Sequence, residues 1–468
     1  AIMRVMWRKI SGRRSAKRSK SARLTKLSVL PRKAHTEVER GEGIYLYDKQ
    51  GKRYIDACSG AAVSNLGHAH PRIVKAMHEQ AQKVAFSHLS RWTSDPIREL
   101  SNRVAQLAPG SLNRLYLVSG GSEATEAALK MARQYYLERD GKSSKYRVIS
   151  RWKSFHGNTI GSLSMTGDKR RKKYTPLLLD FPHIAPAYCY RCPFGKEQAT
   201  CGVECAYDLE RVIKMEGADS IAAFIAETVG GAACGALVPH PDYFRIIREI
   251  CDKYDILFIA DEVMAGFGRT GTLFSIDAWG VIPDMVCVAK GMSAGYSPLG
   301  GVVAKEEIYQ TFCQGSGVFV HGHTYGGNPL SAAVANEVVQ VLVEEDLAGN
   351  AAAIGDYLLL KLQQCLNKYW FVGDVRGKGL MLGVELVQDK ATKAPFPAAL
   401  GLAEKLTSLL MEQGVIVYPG TGGADGENGD HFLLTPPLIL TKEQADELLE
   451  GLEKGFAAMA TQLEQGGR

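Results

Sequence analysis

The chain has 468 residues, of which 46% are hydrophobic and 23% charged, a composition that is ordinary for a soluble globular protein. A chain of this length can bury a large core and is expected to form two or more domains. No apolar run approaches the roughly 18–20 residues that a membrane-spanning helix needs, so we expect no membrane segment.

The excess of basic charge is confined to the N-terminus. Residues 1–36 contain 12 Lys and Arg and neither Asp nor Glu, whereas residues 37–468 hold 44 basic and 50 acidic residues. This composition predicts a disordered basic extension, although an Arg- and Ser-rich segment without acids is also typical of a transit peptide. A nucleic-acid-binding arm has no support from a motif or from aromatic residues. We expect no nucleic-acid partner and a cytoplasmic protein, or a mitochondrial one if the extension is a transit peptide.

A glycine-rich turn follows the first predicted strand of an α/β region. Before it, residues 43–52 predict a hairpin and residues 71–84 a helix. Residues 115–118 then predict a strand, and Gly121 and Ser122 stand in a turn before a helix that Gly141 ends. The free N–H groups of a helix N-terminus can bind a phosphate, and glycine lets the backbone approach it. An ordinary N-capped helix explains the same pattern.

Two further strands end in candidate site residues. Phe155 and His156 follow a predicted strand at 146–150, and Glu227 follows an apolar run at 221–226. An aromatic ring at such a position can stack on a flat heteroaromatic cofactor, and a histidine can support a hydrogen-bond network. A core phenylalanine and a satisfied core histidine are the alternative interpretation.

The most informative stretch is residues 256–290. An apolar run at 256–260 predicts a buried strand that ends in Asp261, and a second run at 285–289 leads to Lys290. Ligands of open α/β sheets bind outside the carboxyl ends of the strands, so both side chains are expected in one crevice. A carboxylate that pairs a pyridinium nitrogen and a lysine that forms a Schiff base are the two groups that pyridoxal phosphate requires.

The C-terminal part predicts a smaller α/β unit. A glycine-rich turn that contains Thr324, a candidate second phosphate ligand, precedes a helix at 330–344. Strands are then expected near 371–376, 380–387 and 431–434, with helices near 397–412 and 441–460.

From residue 41 to about residue 452 the chain resembles the class III aminotransferases of the fold type I pyridoxal-phosphate enzymes. The resemblance is carried by the run from Asp261 to Gly271, by Pro283-Asp284 and by Ala289-Lys290-Gly291. It implies an α/β fold whose large domain has a mostly parallel sheet with helices on both faces. The N- and C-terminal segments would form the smaller domain, which gives expected segments at 37–90, 91–335 and 336–468 after the extension at 1–36.

The resemblance also implies a role for each matching residue. Lys290 would be the Schiff-base lysine and proton shuttle, and Asp261 would pair the ring nitrogen. Glu227 would lie on the substrate side, Phe155 and Val263 would pack on the two faces of the ring, and His156 would lie at the cofactor. Gly121 and Ser122 would hold the phosphate, and Thr324 would reach the phosphate of the neighbouring subunit's cofactor. A homodimer is implied because such active sites use both subunits, and a tetramer is the alternative.

The substrate class is inferred from an arginine that is missing. Many class III enzymes bind the substrate carboxylate with an arginine three residues before a Pro-Pro-Leu motif, and Leu433 stands there in this chain. No arginine occurs from residue 377 to residue 467, and lysine does not replace the arginine fork. Trp92 falls where relatives carry a pocket aromatic residue, and Arg91 beside it could bind another carboxylate.

We therefore predict an ω-aminotransferase that uses an amine or ω-amino acid as donor and a 2-oxo acid such as pyruvate as acceptor. The alternatives are another class III specificity (4-aminobutyrate with 2-oxoglutarate, or a diamine) and a related lyase, decarboxylase or racemase. A non-catalytic scaffold is disfavoured by the intact pair of Lys290 and Asp261.

Four of the ten cysteines are closely spaced. Cys189, Cys192, Cys201 and Cys205 follow the pattern C-x2-C-x8-C-x3-C, which is close to the spacing of a structural zinc site. Reduced cysteines packed in a loop are the favoured interpretation, and disulfides are not expected in an intracellular enzyme. We assign no metal to the site.

Overall fold

The computed structural model describes residues 36–141 and 144–465. The basic extension expected at residues 1–36 therefore lies almost wholly outside the described residues. The described chain forms three β-sheets with helices packed around them. In these two ranges no helix is both long enough and apolar enough to cross a bilayer.

The N-terminal segment contains a small sheet and three helices. Its elements are β1 (Val38–Glu42), β2 (Tyr45–Asp48), β3 (Arg53–Asp56), α1 (Ser59–Ala62), α2 (Pro71–Lys83) and α3 (Asp95–Leu107). Strands β1, β2 and β3 pair antiparallel, and a short strand at residues 415–416 joins β3 in parallel. The predicted hairpin at 43–52 and the predicted helix at 71–84 are confirmed.

The central part of the chain builds the largest sheet. Its elements are β4 (Leu112–Val118), α4 (Gly121–Asp140), β5 (Arg147–Arg151), α5 (Ile160–Met165), β6 (His183–Ile184), α6 (Glu204–Glu216), β7 (Ile221–Glu227), α7 (Tyr243–Lys253), β8 (Leu257–Asp261), β9 (Met285–Val288), β10 (Gly300–Lys305), α8 (Glu306–Gln314) and α9 (Pro329–Glu344). The strand order is β4-β10-β9-β8-β7-β5-β6, in which β10 pairs antiparallel with both its neighbours. The other pairs are parallel, so the mostly parallel sheet is confirmed.

Helices cover both faces of this sheet. Along β7, Phe224 and Ala226 belong to one buried cluster, whereas Ala223 and Ile225 belong to a second cluster that α4 completes. Successive strand side chains point to opposite faces, so each face carries a core of its own. A strand buried on both sides needs a continuous apolar run, which is what residues 221–226 supply.

The C-terminal segment forms the third sheet and closes the N-terminal one. Its elements are α10 (Leu347–Leu366), β11 (Val372–Lys378), β12 (Met381–Leu386), α11 (Leu402–Glu412), β13 (Val415–Ile416), β14 (Tyr418–Gly420), β15 (His431–Leu434) and α12 (Lys442–Gln465). The third sheet has the antiparallel order β11-β12-β15-β14. Helix α10 was not predicted from the sequence. The division at 37–90, 91–335 and 336–468 stays a prediction.

Strand register brings the two carboxylates together. Glu227 at the end of β7 lies opposite Asp261 at the end of β8, and Asp261 lies opposite Cys287 in β9. Lys290 follows Cys287 by three residues. Because these strands are parallel, all three side chains leave the sheet at the same edge.

Candidate active site

A cavity of about 200 Å³ lies at this edge of the large sheet. Eight of the residues expected at the site line it, namely Gly121, Ser122, Phe155, His156, Glu227, Asp261, Val263 and Lys290. These residues come from the ends of five strands, β4, β5, β7, β8 and β9, and from the loops that follow them. The sheet therefore gathers groups that are up to 169 residues apart in the chain.

Asp261 is held by two hydrogen bonds. One carboxylate oxygen lies 2.7 Å from Nδ1 of His156, and the other accepts a hydrogen bond from the backbone N–H of Val263 at 3.0 Å. Asp261 and His156 are both buried. An ionised carboxylate only accepts hydrogen bonds, so Nδ1 of His156 carries the proton. The pair presents a fixed negative charge, little screened by water, to whatever occupies the cavity.

Lys290 lies in a short 3₁₀ turn, Lys290–Met292, directly after β9. Its backbone has φ of 43°, in the left-handed region that non-glycine residues rarely adopt. The side chain lines the cavity, and desolvation lowers the pKa of its amine, while Asp261 and Glu227 partly oppose the shift. A lowered pKa makes the neutral, basic form of the amine accessible near neutral pH.

Glu227 connects two loops at the cavity wall. Its carboxylate accepts hydrogen bonds from the backbone N–H of Phe155 at 2.9 Å and of Gly231 at 2.8 Å. Burial raises the pKa of Glu227. Because the side chain positions the loop that carries Phe155, it shapes the cavity.

The other end of the cavity is the N-terminus of α4. A side chain at Gly121 would lie 2.6 Å from Cγ1 of Val263, so only glycine leaves this space open. The hydroxyl of Ser122 accepts a hydrogen bond from the N–H of Asn158 at 3.0 Å, which leaves its own proton free to donate. Helix α4 has 20 residues, and its free N–H groups face an anion favourably.

The family model of the class III aminotransferases matches residues 29–456. The chain belongs to the class III aminotransferases. Members of this family depend on pyridoxal phosphate, and so does this aminotransferase. The predicted family and cofactor are confirmed.

Three relatives place this aminotransferase more closely. It is 38% identical to the uncharacterized aminotransferase YodT of Bacillus subtilis over 92% of this chain and 97% of that protein. It is 37% identical to the putrescine–pyruvate aminotransferase of Pseudomonas aeruginosa over 88% of each chain. An amine transaminase from an uncultivated Pseudomonas species, solved in its PLP-bound form, superposes with a TM-score of 0.85 at 36% identity, covering 92% of this chain and 97% of that one. These likenesses confirm the fold type I architecture.

The cavity of this aminotransferase fits pyridoxal phosphate. The helix N-terminus with Gly121 and Ser122 suits the phosphate, Phe155 and Val263 supply apolar side chains against which a ring can pack, and the Asp261 carboxylate suits a ring nitrogen. Nε2 of His156 is buried and has no hydrogen-bond partner among the described residues, although the ring is fixed through Nδ1. A buried ring nitrogen of this kind needs a hydrogen-bond partner, which a water molecule or a bound group can supply.

Four of the expected residues lie outside the cavity. Arg91, Trp92 and Thr324 are exposed, and Trp92 is 67% accessible. Leu433 is buried in an apolar cluster with Val229 and Met381, and it does not line the cavity. These positions leave the roles of the four residues as predictions.

The structure adds residues that sequence reasoning did not select. Gly157, Asn158, Val229, Ala232 and Met264 also line the cavity. Gly157 and Asn158 directly follow His156, so adjacency was the available signal. Met264 directly follows Val263, so the same signal was available for it, whereas Val229 and Ala232 had none because uncharged loop residues resemble any other loop residue.

Two arginines were also missed. Arg170 lies with its guanidinium carbon 4.8 Å from the ring centroid of Phe155. Arg269 belongs to the family motif and is fully buried, and it donates hydrogen bonds to Asn65 at 2.7 Å and to the carbonyls of Leu380 and Pro436. Arg269 thereby joins the motif loop to both terminal segments.

The four closely spaced cysteines line one cavity of about 20 Å³. All four are free thiols, and burial raises the pKa of Cys189 to about 11 and that of Cys205 to about 12. No group of three or more His, Cys, Asp or Glu side chains is arranged to hold a metal within residues 36–141 and 144–465.

Proposed function

We propose that this aminotransferase moves an amino group from an amine or ω-amino acid to a 2-oxo acid such as pyruvate. The single observation that carries the proposal is the position of Lys290, whose amine opens into the cavity that Asp261 and His156 also line. Bound pyridoxal phosphate supplies an aldehyde and an electron-withdrawing ring. The product formed from the donor leaves the site before the acceptor binds, so we expect ping-pong kinetics.

Lys290 is proposed to hold the cofactor covalently and to carry the proton. Once the donor amine has displaced Lys290 from the cofactor, the freed amine, whose pKa is lowered by burial, would accept the proton from the reacting carbon and return it to the cofactor carbon. The strained backbone at Lys290 is consistent with a functional position, because such strain persists where surrounding structure fixes it.

Asp261 is proposed to stabilise positive charge on the ring nitrogen. The hydrogen bond from His156 and that from Val263 fix its two oxygens, so the carboxylate does not need to reorient. Phe155 and Val263 are proposed to hold the two ring faces, and Gly121 and Ser122 to bind the phosphate.

The donor is proposed to lack a carboxylate beside its amine. Leu433 lies in an apolar cluster, and no arginine occurs from residue 377 to residue 467. The printed names of two relatives, an amine transaminase and a putrescine–pyruvate aminotransferase, agree with an amine donor and with pyruvate as acceptor.

Active sites are proposed to form in a homodimer. Large apolar side chains are exposed on either side of Thr324 in the chain: Val320 is 74% and Tyr325 64% accessible, and the ring of Tyr325 lies 5.5 Å from that of Phe86. Exposed apolar patches of this kind mark interaction surfaces. Thr324 would then reach the phosphate in the neighbouring subunit. The enzyme is proposed to be cytoplasmic.

A donor panel tests the proposal. Purified holoenzyme is mixed with primary amines, ω-amino acids or glutamate, with pyruvate or 2-oxoglutarate as acceptor, and both products are identified by mass spectrometry. Lys290→Ala should abolish turnover and the visible absorbance of bound cofactor. Lys173→Ala, a change at an exposed lysine outside the cavity, should alter neither.

The products also separate the competing chemistries. Release of carbon dioxide or phosphate without an aminated acceptor would identify a decarboxylase or a lyase and overturn the proposal. A holoenzyme that converts no donor at all would favour a non-catalytic protein.

A further inference from the structure

A second cavity adjoins the active-site cavity. It has a volume of about 710 Å³ and shares Ala232 with the active-site cavity. Arg170 lines the second cavity and also lies over Phe155, which lines the first. A substrate whose reacting group is at Lys290 could therefore extend past Phe155 into the larger space.

The larger cavity, called the cationic cavity from here on, has an excess of positive side chains in its wall. The positive residues outnumber the acidic ones, and they are Lys153, Lys169, Arg170, Arg171 and Lys172 against Asp168, Glu404 and Asp425. The cations come from two stretches of the chain, the residue after Trp152 and the 3₁₀ helix Lys169–Leu177. Trp152, Ala232, Ala233 and Pro419 give the wall an apolar part.

Three of these cations lack an acidic partner within the described residues. Lys153 donates to the backbone carbonyls of Gly423 and Ala424, and Lys169 donates to the hydroxyl of Thr421. Arg171 lies 3.2 Å from a ring nitrogen of His183.

Burial lowers the pKa of Lys153, of Lys169 and of Arg171. A cation that has lost part of its water shell and hydrogen-bonds only to neutral acceptors gains when an anion arrives, even though Asp425 attracts Lys153, and Asp168 and Asp430 attract Lys169, from a greater distance. Arg170 and Lys172 differ, since they pair with Asp168 and Glu427.

We propose that the cationic cavity binds an anionic group, a carboxylate or a phosphate, at the far end of the substrate. This inference rests on the proposed amino transfer and narrows its donor to an ω-amino acid or an amine with a distal phosphate. Lys153, Lys169 and Arg171 recognise the anion, and the apolar wall accommodates the chain between the two ends. A diamine is disfavoured, because its second ammonium group would enter a positively charged cavity.

Donors of matched length test the inference in the first half-reaction. The donors are 6-aminohexanoate, 6-aminohexyl phosphate, hexylamine and 1,6-diaminohexane, and the absorbance change of bound cofactor gives kcat/KM for each. We expect at least one anionic donor to exceed hexylamine by tenfold or more, which corresponds to about 1.4 kcal/mol. The diamine should be the poorest donor. The two anionic donors distinguish a carboxylate from a phosphate.

Charge-neutralising variants locate the effect. Lys169→Gln combined with Arg171→Gln should reduce the ratio of kcat/KM between the anionic donor and hexylamine to about one. Lys173→Gln lies in the same 3₁₀ helix but outside the cavity wall, so it should keep the ratio of the unaltered enzyme. If the double variant does not fold, inhibition of the unaltered holoenzyme by hexanoate compared with 1-hexanol gives an independent measurement. Hexanoate should inhibit more strongly, and increasing salt should weaken it.

Failure of the inference is distinguishable from failure of the proposed function. Equal kcat/KM for 6-aminohexanoate, 6-aminohexyl phosphate and hexylamine, or a preference for the diamine, would overturn the anion subsite and leave amino transfer intact. Absence of reaction with every donor would overturn amino transfer. In that case the rate at which the apoprotein captures pyridoxal phosphate, measured with and without hexanoate, would still show whether the cationic cavity binds an anion.

Discussion

Replacing Asp261 by Asn removes one charge from the centre of the site and changes the side-chain volume little. Asp261 is 4% exposed, so water does not screen it effectively. A unit charge about 4 Å from a positively charged ring nitrogen contributes roughly 4 kcal/mol at the effective dielectric constant of protein sites. At about 1.4 kcal/mol for each factor of ten, loss of that attraction predicts a fall in kcat of about 10³.

The assay compares per-site turnover and folding stability in two Asp→Asn variants. Asp284 is the matched control, since it is also buried at a strand of the large sheet but lies outside the cavity and pairs with Arg248 and Lys305 at 2.7 Å each. Asp284→Asn should lower the melting temperature and leave turnover per folded molecule unchanged. Asp261→Asn should show the reverse pattern and keep its bound cofactor.

A kcat for Asp261→Asn within about threefold of the unaltered enzyme would refute the electrostatic argument. Such a result would mean that the carboxylate only receives hydrogen bonds from His156 and Val263 as part of a structural turn. Loss of cofactor from the variant would instead assign Asp261 to binding.

Three further predictions concern single arginine or leucine positions. Arg170→Gln removes a positive charge that lowers the pKa of Lys290, so the rate at which the apoprotein captures pyridoxal phosphate should reach its midpoint at a higher pH. Arg269→Lys should lower the melting temperature by several degrees in calorimetry. Lysine cannot donate to all three separated acceptors, and the lost hydrogen bonds should reduce the free energy of unfolding by about 2 kcal/mol or more. Leu433→Arg places an unpaired cation in an apolar cluster, so it should destabilise the fold by several kcal/mol and give no appreciable glutamate activity.

The strand-end residues could be predicted because one local rule applies to all of them. Buried parallel strands need continuous apolar runs, and a charged residue that ends such a run lies at the edge where ligands bind. Glu227, Asp261 and Lys290 satisfy this rule, and all three line one cavity. The phosphate end at Gly121 follows from a similarly local pattern, a glycine turn between a strand and a helix.

Other parts of the fold needed contacts that the sequence does not display. Strand β10 pairs antiparallel with β9, which it follows in the chain, and on its other side with β4, which lies far earlier in the chain. No local sequence pattern sets that order. Helix α10 lacks a clean helical repeat of apolar residues, because Leu358, Leu359 and Leu360 are consecutive and point to different sides of the helix. Arg269 was read as part of a motif, and its acceptors at Leu380 and Pro436 lie more than 100 residues away.

The residues that could bind a substrate carboxylate were difficult to predict from the sequence for the same reason. Sequence reasoning looked for an arginine near Leu433, found none from residue 377 to residue 467, and inferred a donor without a carboxylate clamp. The fold places cations elsewhere, because Lys153 and Lys169 line the cationic cavity and donate hydrogen bonds to the segment at residues 419–426, which also lines it. The absence of an arginine near Leu433 excludes one way of binding a carboxylate, but it does not exclude anion recognition by Lys153, Lys169 and Arg171. A clamp beside the reacting amine and a subsite at the far end of the substrate are therefore separate questions, and only the matched donor series measures the second.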